Sequence, residues 1–490
     1  MSARPTTPLH SPEPVSQLEL HDDRLFAGDP AQRNMARELY DHVRDLPLIC
    51  PHGHVDPALL AENTPFANPA ELLVIPDHYI TRMLYSHGVG LEDLGAASRD
   101  GVPIEADPRQ VWQRLAQHWP LFRGTPTRLW LEHMLHQTFG VRIPLTPHTA
   151  DDVYDQVADC LARDDFRPRA LFDRFNVEAL ATTEPALDPL AHHRAIASSD
   201  WAGRVVTTFR PDDVVDIARP GWADAVAQLG EVTGSDTHTY PGYLQALAER
   251  RAFFQRHGAT ATDHGHPTAG TVDLDAGDAA RLYQRALRGQ TDTADAECFR
   301  GHMLTEFARM SCEDGLVLQL HPGSWRNHNE RVYERFGPDM GADIPTPTDY
   351  VHGLRPLLNR FGNDPRLTFV VFTLDESTYS RELAPLAGHY PAMLLGPAWW
   401  FHDSPEGLRR FRELTTETAG FYNTVGFNDD TRSFPQIPAR HDVARRVDCA
   451  FLARLVVERR LPLAEAAETA VDLAYRLPKR TYRIGDGTVA

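Results

Sequence analysis

Leu46-Pro47-Leu48-Ile49-Cys50-Pro51-His52-Gly53-His54-Val55-Asp56 is an apolar run stopped by a proline and followed by two histidines one residue apart. A short apolar run of this kind reads as a buried strand. Alternate residues leaving a strand point the same way, so the imidazoles of His52 and His54 can meet one divalent ion. Alone, the motif is weak. The chain holds 24 histidines and a second copy, His264-Gly265-His266, which reads as site lining rather than a second metal site. What separates the first pair is its place, at the end of a strand-like run near the start of the folded region.

Working outward, seven further apolar runs follow, at 177–182, 204–209, 259–262, 316–320, 367–372, 392–395 and 423–427. Eight such runs alternating with helical stretches predict an α/β protein, a distorted (β/α)8 barrel of the TIM type. Helical periodicity at 109–118, 128–138 and 151–163 fills the long gap after the first run, so a helical insertion of about residues 60–170 is expected there. A second insertion is expected at about 211–256. Two amphipathic stretches, 442–458 and 463–477, read as closing helices, with their charges on solvated faces. Residues 1–20, rich in Pro, Ser and Thr, read as a disordered arm, and 21–490 as one elaborated domain.

The chain of 490 residues carries a net charge of −19. That balance argues against nucleic acid or an anionic membrane as partner, because binding phosphates needs clustered positive charge. Lys479 is the one lysine in the sequence, which removes the P-loop and a Schiff-base lysine, and with them a metal pair bridged by a modified lysine. Any metal site is expected to be mononuclear. The five cysteines form no C-x-x-C, so no disulfide framework or cysteine zinc site is suggested, and a reducing cytoplasm fits. No apolar span of signal-peptide or transmembrane length occurs.

In barrels of this kind catalytic groups stand where strands end. The runs here end in His52 and His54, then Thr182-Thr183-Glu184-Pro185, Arg210-Pro211-Asp212, Asp263-His264, His321-Pro322-Gly323, Trp399-Trp400 and Asp429-Asp430-Thr431-Arg432. Nearly every end is equipped for chemistry.

With these motifs in order, namely His-x-His, ATTEPALDP, FRPD, TDHG, LQLHPGSWRNHN, GPAWWFHD and DTRS, the chain resembles the uronate isomerases of the amidohydrolase superfamily over residues 20 to 485. The resemblance implies aldose–ketose interconversion of hexuronates, D-glucuronate with D-fructuronate and D-galacturonate with D-tagaturonate. It also implies one divalent metal ion, zinc, or else manganese or another divalent ion, held by His52, His54 and Asp430, with His321 as a fourth ligand or hydrogen-bond partner. Arg432 would adjoin the reacting end of the sugar. Arg210, Arg326 and Asp263 match positions expected to meet the substrate, and Tyr79 matches a tyrosine supplied by the insertion. Trp399 and Trp400 would shape the pocket wall. The expected partner is a small hexuronate, and the assembly a homo-oligomer. Two positions depart from the common pattern: Gly53 stands where many members have cysteine, and Thr431 where many have serine. Neither removes a ligand.

Moving a carbonyl from C1 to C2 requires taking the C2 proton, protonating C1 and shifting a proton between the oxygens. The enediolate formed on the way must be stabilised electrostatically. Either Tyr79 or Asp430 could shuttle the proton. Two alternatives compete with this reading. A mononuclear hydrolase or deaminase of the same superfamily is disfavoured because the sixth run ends Phe372-Thr373-Leu374-Asp375, without a histidine. A non-catalytic sugar-acid binder would not need ligands on the first and eighth runs together.

Overall fold

The computed structural model describes residues 17–105 and 107–485. Seven parallel strands form one sheet in the order β1-β2-β3-β4-β5-β8-β9. These are β1 (Leu48–Cys50), β2 (Val177–Pro185), β3 (Val205–Arg210), β4 (Ala261–His264), β5 (Val317–Leu320), β8 (Phe369–Val371) and β9 (Met393–Leu395). Two short strands, β6 (Ser324–Trp325) and β7 (Ile344–Pro345), pair antiparallel in a separate ribbon after β5. The architecture is a distorted (β/α)8 barrel.

The eighth run does not form a strand. It joins β9 through a single parallel bridge, Leu395 to Thr424, where the Val425 N–H donates to Leu395 O at 3.0 Å. The reason is local: Gly426 sits at φ 79°, a left-handed conformation that ends extended backbone. Among the described residues, the backbone joins across the seam between this run and β1 through the hydrogen bond from His54 N–H to Thr431 O at 2.9 Å. At the other end of its span β1 stops at Cys50 because Pro51 has no N–H to continue a ladder.

Alternation along β1 divides the molecule. Ile49 joins Ala179, Ala261, Val317 and Val370 in the barrel interior, together with Tyr482 and Ile484 from the C-terminal end. Its neighbours Leu48 and Cys50 face the apolar core of the segment that follows β1, with Trp112, Phe122 and Leu131. Between β1 and β2 that segment runs through helices Pro57–Glu62, Pro69–Leu73, His78–Ser86, Pro108–His118, Pro126–His133, Ala150–Leu161 and Pro168–Arg174. After β3 the chain forms Trp222–Thr233 and the long Tyr240–Arg256 helix before β4. Residues 1–16 of the expected N-terminal arm lie outside the described residues; Leu18 is buried and its N–H donates to Arg142 O at 2.7 Å.

The closing helices depart from expectation in one respect. Helix Ile437–Val457 begins at a proline-containing turn five residues earlier than its periodicity suggested, and it is buried along nearly its whole length. Its charges are not on a solvated face. Asp448 accepts two hydrogen bonds from the buried Arg412, at 2.6 and 3.0 Å. Arg445 donates to the carbonyls of Arg44, Leu46 and Pro47. Periodicity cannot distinguish a helix whose charges face solvent from one whose charges are paired inside, and the second arrangement is what the neighbours provide here.

Candidate active site

The ends of β1, β4 and β5 and the turn after the eighth run converge on one cluster. His54 Nε2 stands 3.2 Å from Asp430 Oδ1 and His52 Nε2 stands 3.5 Å from the same oxygen. His52 lies flat against His321, ring centroids 4.7 Å apart and planes 20° apart. His321 is packed in turn against Phe372 and Trp399. Its Nδ1–H donates to Asp263 Oδ1 at 2.6 Å, which fixes the tautomer and leaves Nε2 as a lone-pair donor. That buried Nε2 has no hydrogen-bond partner.

One donor atom each from His52, His54 and Asp263, and likewise from His52, His321 and Asp430, lies within 4.8 Å of the others. Imidazole nitrogens with carboxylates and an orphaned Nε2 fit a divalent transition ion rather than calcium or magnesium, which prefer all-oxygen shells. Burial pushes His52 down to about 4, so it stays neutral and able to ligate. For Asp430 burial opposes ionisation, but the surrounding imidazoles of His54, His52 and His321 hold its carboxyl below the usual range.

Asp263, expected to meet the substrate, lines the cavity and also contacts a candidate ligand. It is almost fully buried at the end of β4, with one oxygen on His321 and the other accepting from Arg210 Nη1 at 2.9 Å. It therefore braces a candidate ligand as well as facing the cavity. Burial opposes its charge, and Arg210 and His321 restore it, holding the carboxyl well below the ordinary value. Arg210 also donates through Nε to Asp212 Oδ2 at 2.8 Å.

Around the cluster opens a cavity of about 1020 Å³, lined by His52, His54, His321, Asp430, Asp263 and Arg210 and also by Tyr79, Trp399, Trp400, Arg326 and Arg432. The residues assigned to metal, substrate and catalysis thus share one space, whereas His264, read with His266 as site lining, is not among the lining residues. Tyr79 reaches it because Asp77 caps its helix, accepting from the Tyr79 and Ile80 N–H groups at 2.8 and 3.3 Å. The Tyr79 hydroxyl donates to Trp400 O at 3.2 Å. Arg326 lies over the Trp400 ring, 4.7 Å from its centroid, and pairs with Asp343 at 2.9 Å. Arg432 pairs with Asp339 at 3.2 Å and is half-exposed.

Four lining residues, Asn327, Asp339, Trp400 and Asp430, hold positive φ without being glycine, at 54°, 64°, 51° and 40°. For tryptophan such a conformation is costly and persists only where the surroundings impose it. Gly53 is a different case. A Cβ there would meet Ala181 O and Thr431 O at 3.5 Å, an ordinary contact, so close packing does not itself require glycine between the two histidines.

Asp212 was already readable as a partner of Arg210, but the sequence did not single out Asp339, Asp343, Asp403 or Arg440, the other groups that hold the chosen residues. Asp403 closes the GPAWWFHD motif, while Asp339, Asp343 and Arg440 stand seven or more residues from any motif and carried no sequence signal. Asp212, His264 and His266 also bring donors together. There the Arg210 guanidinium already occupies the carboxylate, so a cation would face a positive charge. His266 lines the cavity.

The family model for glucuronate isomerase matches residues 29–482. A uronate isomerase of Rhizorhabdus wittichii is 61% identical over 470 residues, spanning 96% of this chain and 100% of that protein. The crystal structure of glucuronate isomerase from Caulobacter crescentus superposes with a TM-score of 0.95 at 55% identity, covering 96% of this chain and 98% of the other. A uronate isomerase from Thermotoga maritima superposes at 0.88 with 28% identity, over 95% and 99% of the two chains. With family match, near full-length identity and superposition agreeing, the chain belongs to the glucuronate isomerase family and is an aldose–ketose isomerase of uronates.

Proposed function

We propose that the chain interconverts D-glucuronate with D-fructuronate and D-galacturonate with D-tagaturonate, using His52, His54, Asp430 and His321 to hold one zinc ion. The observation that carries this is the single cavity in which that cluster faces Tyr79 and the arginines 210, 326 and 432. The ion, when bound, supplies Lewis-acid stabilisation of the charge that develops on the sugar oxygens. Manganese is the alternative, since a His/Asp set accepts either.

The protein residues divide the remaining work. Burial raises the Tyr79 phenol above its ordinary value, so it is suited to donate a hydrogen bond or proton rather than to abstract one. Asp430, kept ionised by its neighbours, is suited to take the C2 proton and return it to C1. Arginine offers a planar fork for the distal carboxylate of the sugar, which a point charge cannot match. Arg326, held over Trp400 and braced by Asp343, is the group assigned to that carboxylate. Arg432 supports the reacting end, and Trp399 with Trp400 forms the wall that keeps water away.

Among the described residues no helix is long and apolar enough to cross a membrane. A cytoplasmic homo-oligomer acting on free hexuronates completes the proposal. The test is proton NMR of each sugar in D₂O with the purified protein, beside D430N. Ketose formation with deuterium entering the product, lost in D430N, supports the reading; no turnover of either sugar by folded, metal-loaded protein overturns it.

A further inference from the structure

Arg440 is 3% exposed, yet it lies where three separately supplied parts of the cavity meet. Its Nη1 donates to Asp403 Oδ2 at 2.6 Å and to Asp429 O at 3.2 Å. Its Nη2 donates to Gln436 Oε1 at 3.4 Å. The guanidinium lies over the Trp130 ring, 3.9 Å from its centroid, and 5.7 Å from that of Tyr79.

Each contact leads to a site residue. Asp429 O belongs to the peptide group that joins Asp429 to Asp430, so the hydrogen bond restrains the strained backbone at Asp430, φ 40°. The same turn is held through the Asp429 side chain, whose Oδ2 stands 3.2 Å from His441 Nε2. Asp403 closes the turn that carries Trp400, its N–H donating to Trp400 O at 3.2 Å. That oxygen is also the acceptor for the Tyr79 hydroxyl. Gln436 donates through Nε2 to Asp77 Oδ2 at 2.8 Å, and Asp77 is the cap that sets the Tyr79 helix. The insertion after β1, the loop after β9 and the loop after the eighth run have no shared strand or helix, and one buried cation on the Ile437–Val457 helix ties them.

We propose that Arg440 is a positioning residue for the isomerisation, fixing Asp430 and Tyr79 in a common frame without touching the sugar. The inference rests on the assignment of Asp430 and Tyr79 above. Lysine cannot replace it fully, because a single ammonium cannot present the same planar fork to Asp403, Asp429 O and Gln436 together.

The experiment is steady-state kinetics of the zinc-supplemented full chain on D-glucuronate for R440M, R440K, R412M, D430N and Y79F. Zinc affinity, by competition with a chromophoric chelator, and thermal denaturation are measured in parallel. Arg412 is the control: it is equally buried and forks Asp448, but it does not line the cavity.

Misplacement of reacting groups by about an ångström lowers rates about 10²-fold, so R440M is expected to lose about that much in kcat, with KM within about threefold of the parent. Zinc affinity is expected to fall about tenfold through the displaced Asp430. R440K should lie between, with kcat down about tenfold. R412M should lose thermal stability while kcat and zinc affinity hold.

Parent-like kcat in R440M overturns the proposal, and so does parent-like kcat in R440K should R440M fail to fold. A rise in KM with kcat unchanged overturns it in favour of direct substrate contact. An equal loss of kcat in R412M overturns it in favour of general loosening. If D430N and Y79F stay active, the assignment of the site falls and this inference with it. If they are inactive while R440M, or R440K should R440M fail to fold, keeps parent-like kcat, only the role of Arg440 falls.

Discussion

His54 Nε2 and Asp430 Oδ1 approach to 3.2 Å although one follows the first strand and the other the last position of the barrel. The sheet does not close by a ladder between those positions, so this pair, with the His54 N–H bond to Thr431 O, spans the seam. Function is thus concentrated where regular hydrogen bonding is thinnest. That placement leaves backbone free to adopt the left-handed turn at Asp430, which a continuous strand would forbid.

Replacing Asp430 by asparagine retains its shape and removes both its basicity and its charge. A positioned general base contributes about 10²–10⁴-fold, and kcat for D-glucuronate is expected to fall by that range. The NMR rate of ketose formation checks it, with circular dichroism to show that the fold is kept. Activity near that of the parent would show that the proton is carried elsewhere.

His321 depends on Asp263 for its orientation, the two being 2.6 Å apart and both buried. D263N keeps a hydrogen-bonding group but loses the charge that makes His321 a stronger donor. Loss of such a partner typically weakens metal affinity about 10–100-fold. Zinc competition against a chromophoric chelator is the measurement; unchanged affinity would place His321 outside the ligand set.

Arg326 is expected to act on binding more than on chemistry. Hydrogen bonds to a charged group are worth about 1.5–3 kcal/mol, so R326M should raise KM by about 10–100-fold and leave kcat within about threefold. Steady-state kinetics decides. An equal loss in kcat with KM unchanged would move Arg326 from the distal carboxylate to the reacting end.

Glu184, which does not line the cavity, gives a pH-dependent expectation. It is 5% exposed and accepts a short hydrogen bond from Thr207. Burial pushes its carboxyl up to about 7. The folded protein therefore holds a proton that the unfolded chain releases above its ordinary value of 4.5. Stability from this group is highest below that value and is lost as pH rises toward 7, after which the loss is constant. At 1.36 kcal/mol per pKa unit the loss approaches about 3 kcal/mol. E184Q cannot ionise, so thermal denaturation should show it gaining on the parent between pH 5 and pH 8. A constant difference across that range would show that Glu184 does not titrate there.

Much of the site was legible because the strand ends could be read in order. His52, His54, Arg210, Asp263, His321, Trp399 and Asp430 each follow an apolar run, and barrel topology brings such ends to one face. Tyr79 was reachable only through family resemblance, since nothing in Asp77-His78-Tyr79 says that its helix folds back over the barrel mouth. The β6–β7 ribbon was missed for a plain reason: two-residue strands have no period to detect. The charged helix after the eighth run was misread because sequence reports charge and not its partner.

The sequence by itself determined the strand and helix periodicity, the classes of chemistry closed to a chain with one lysine and a strongly acidic balance, and the identity of the groups standing at strand ends. Tertiary structure decided what those groups do to one another. Asp263 became the brace of His321, Gly426 cut the eighth strand short, and Arg412, Arg440 and Arg445 turned inward to meet partners. The physical reason is that hydrophobic periodicity is a local property carried within a few residues. Pairing and desolvation of charge depend on distances of a few ångströms between segments far apart in the chain, and only folding sets those distances.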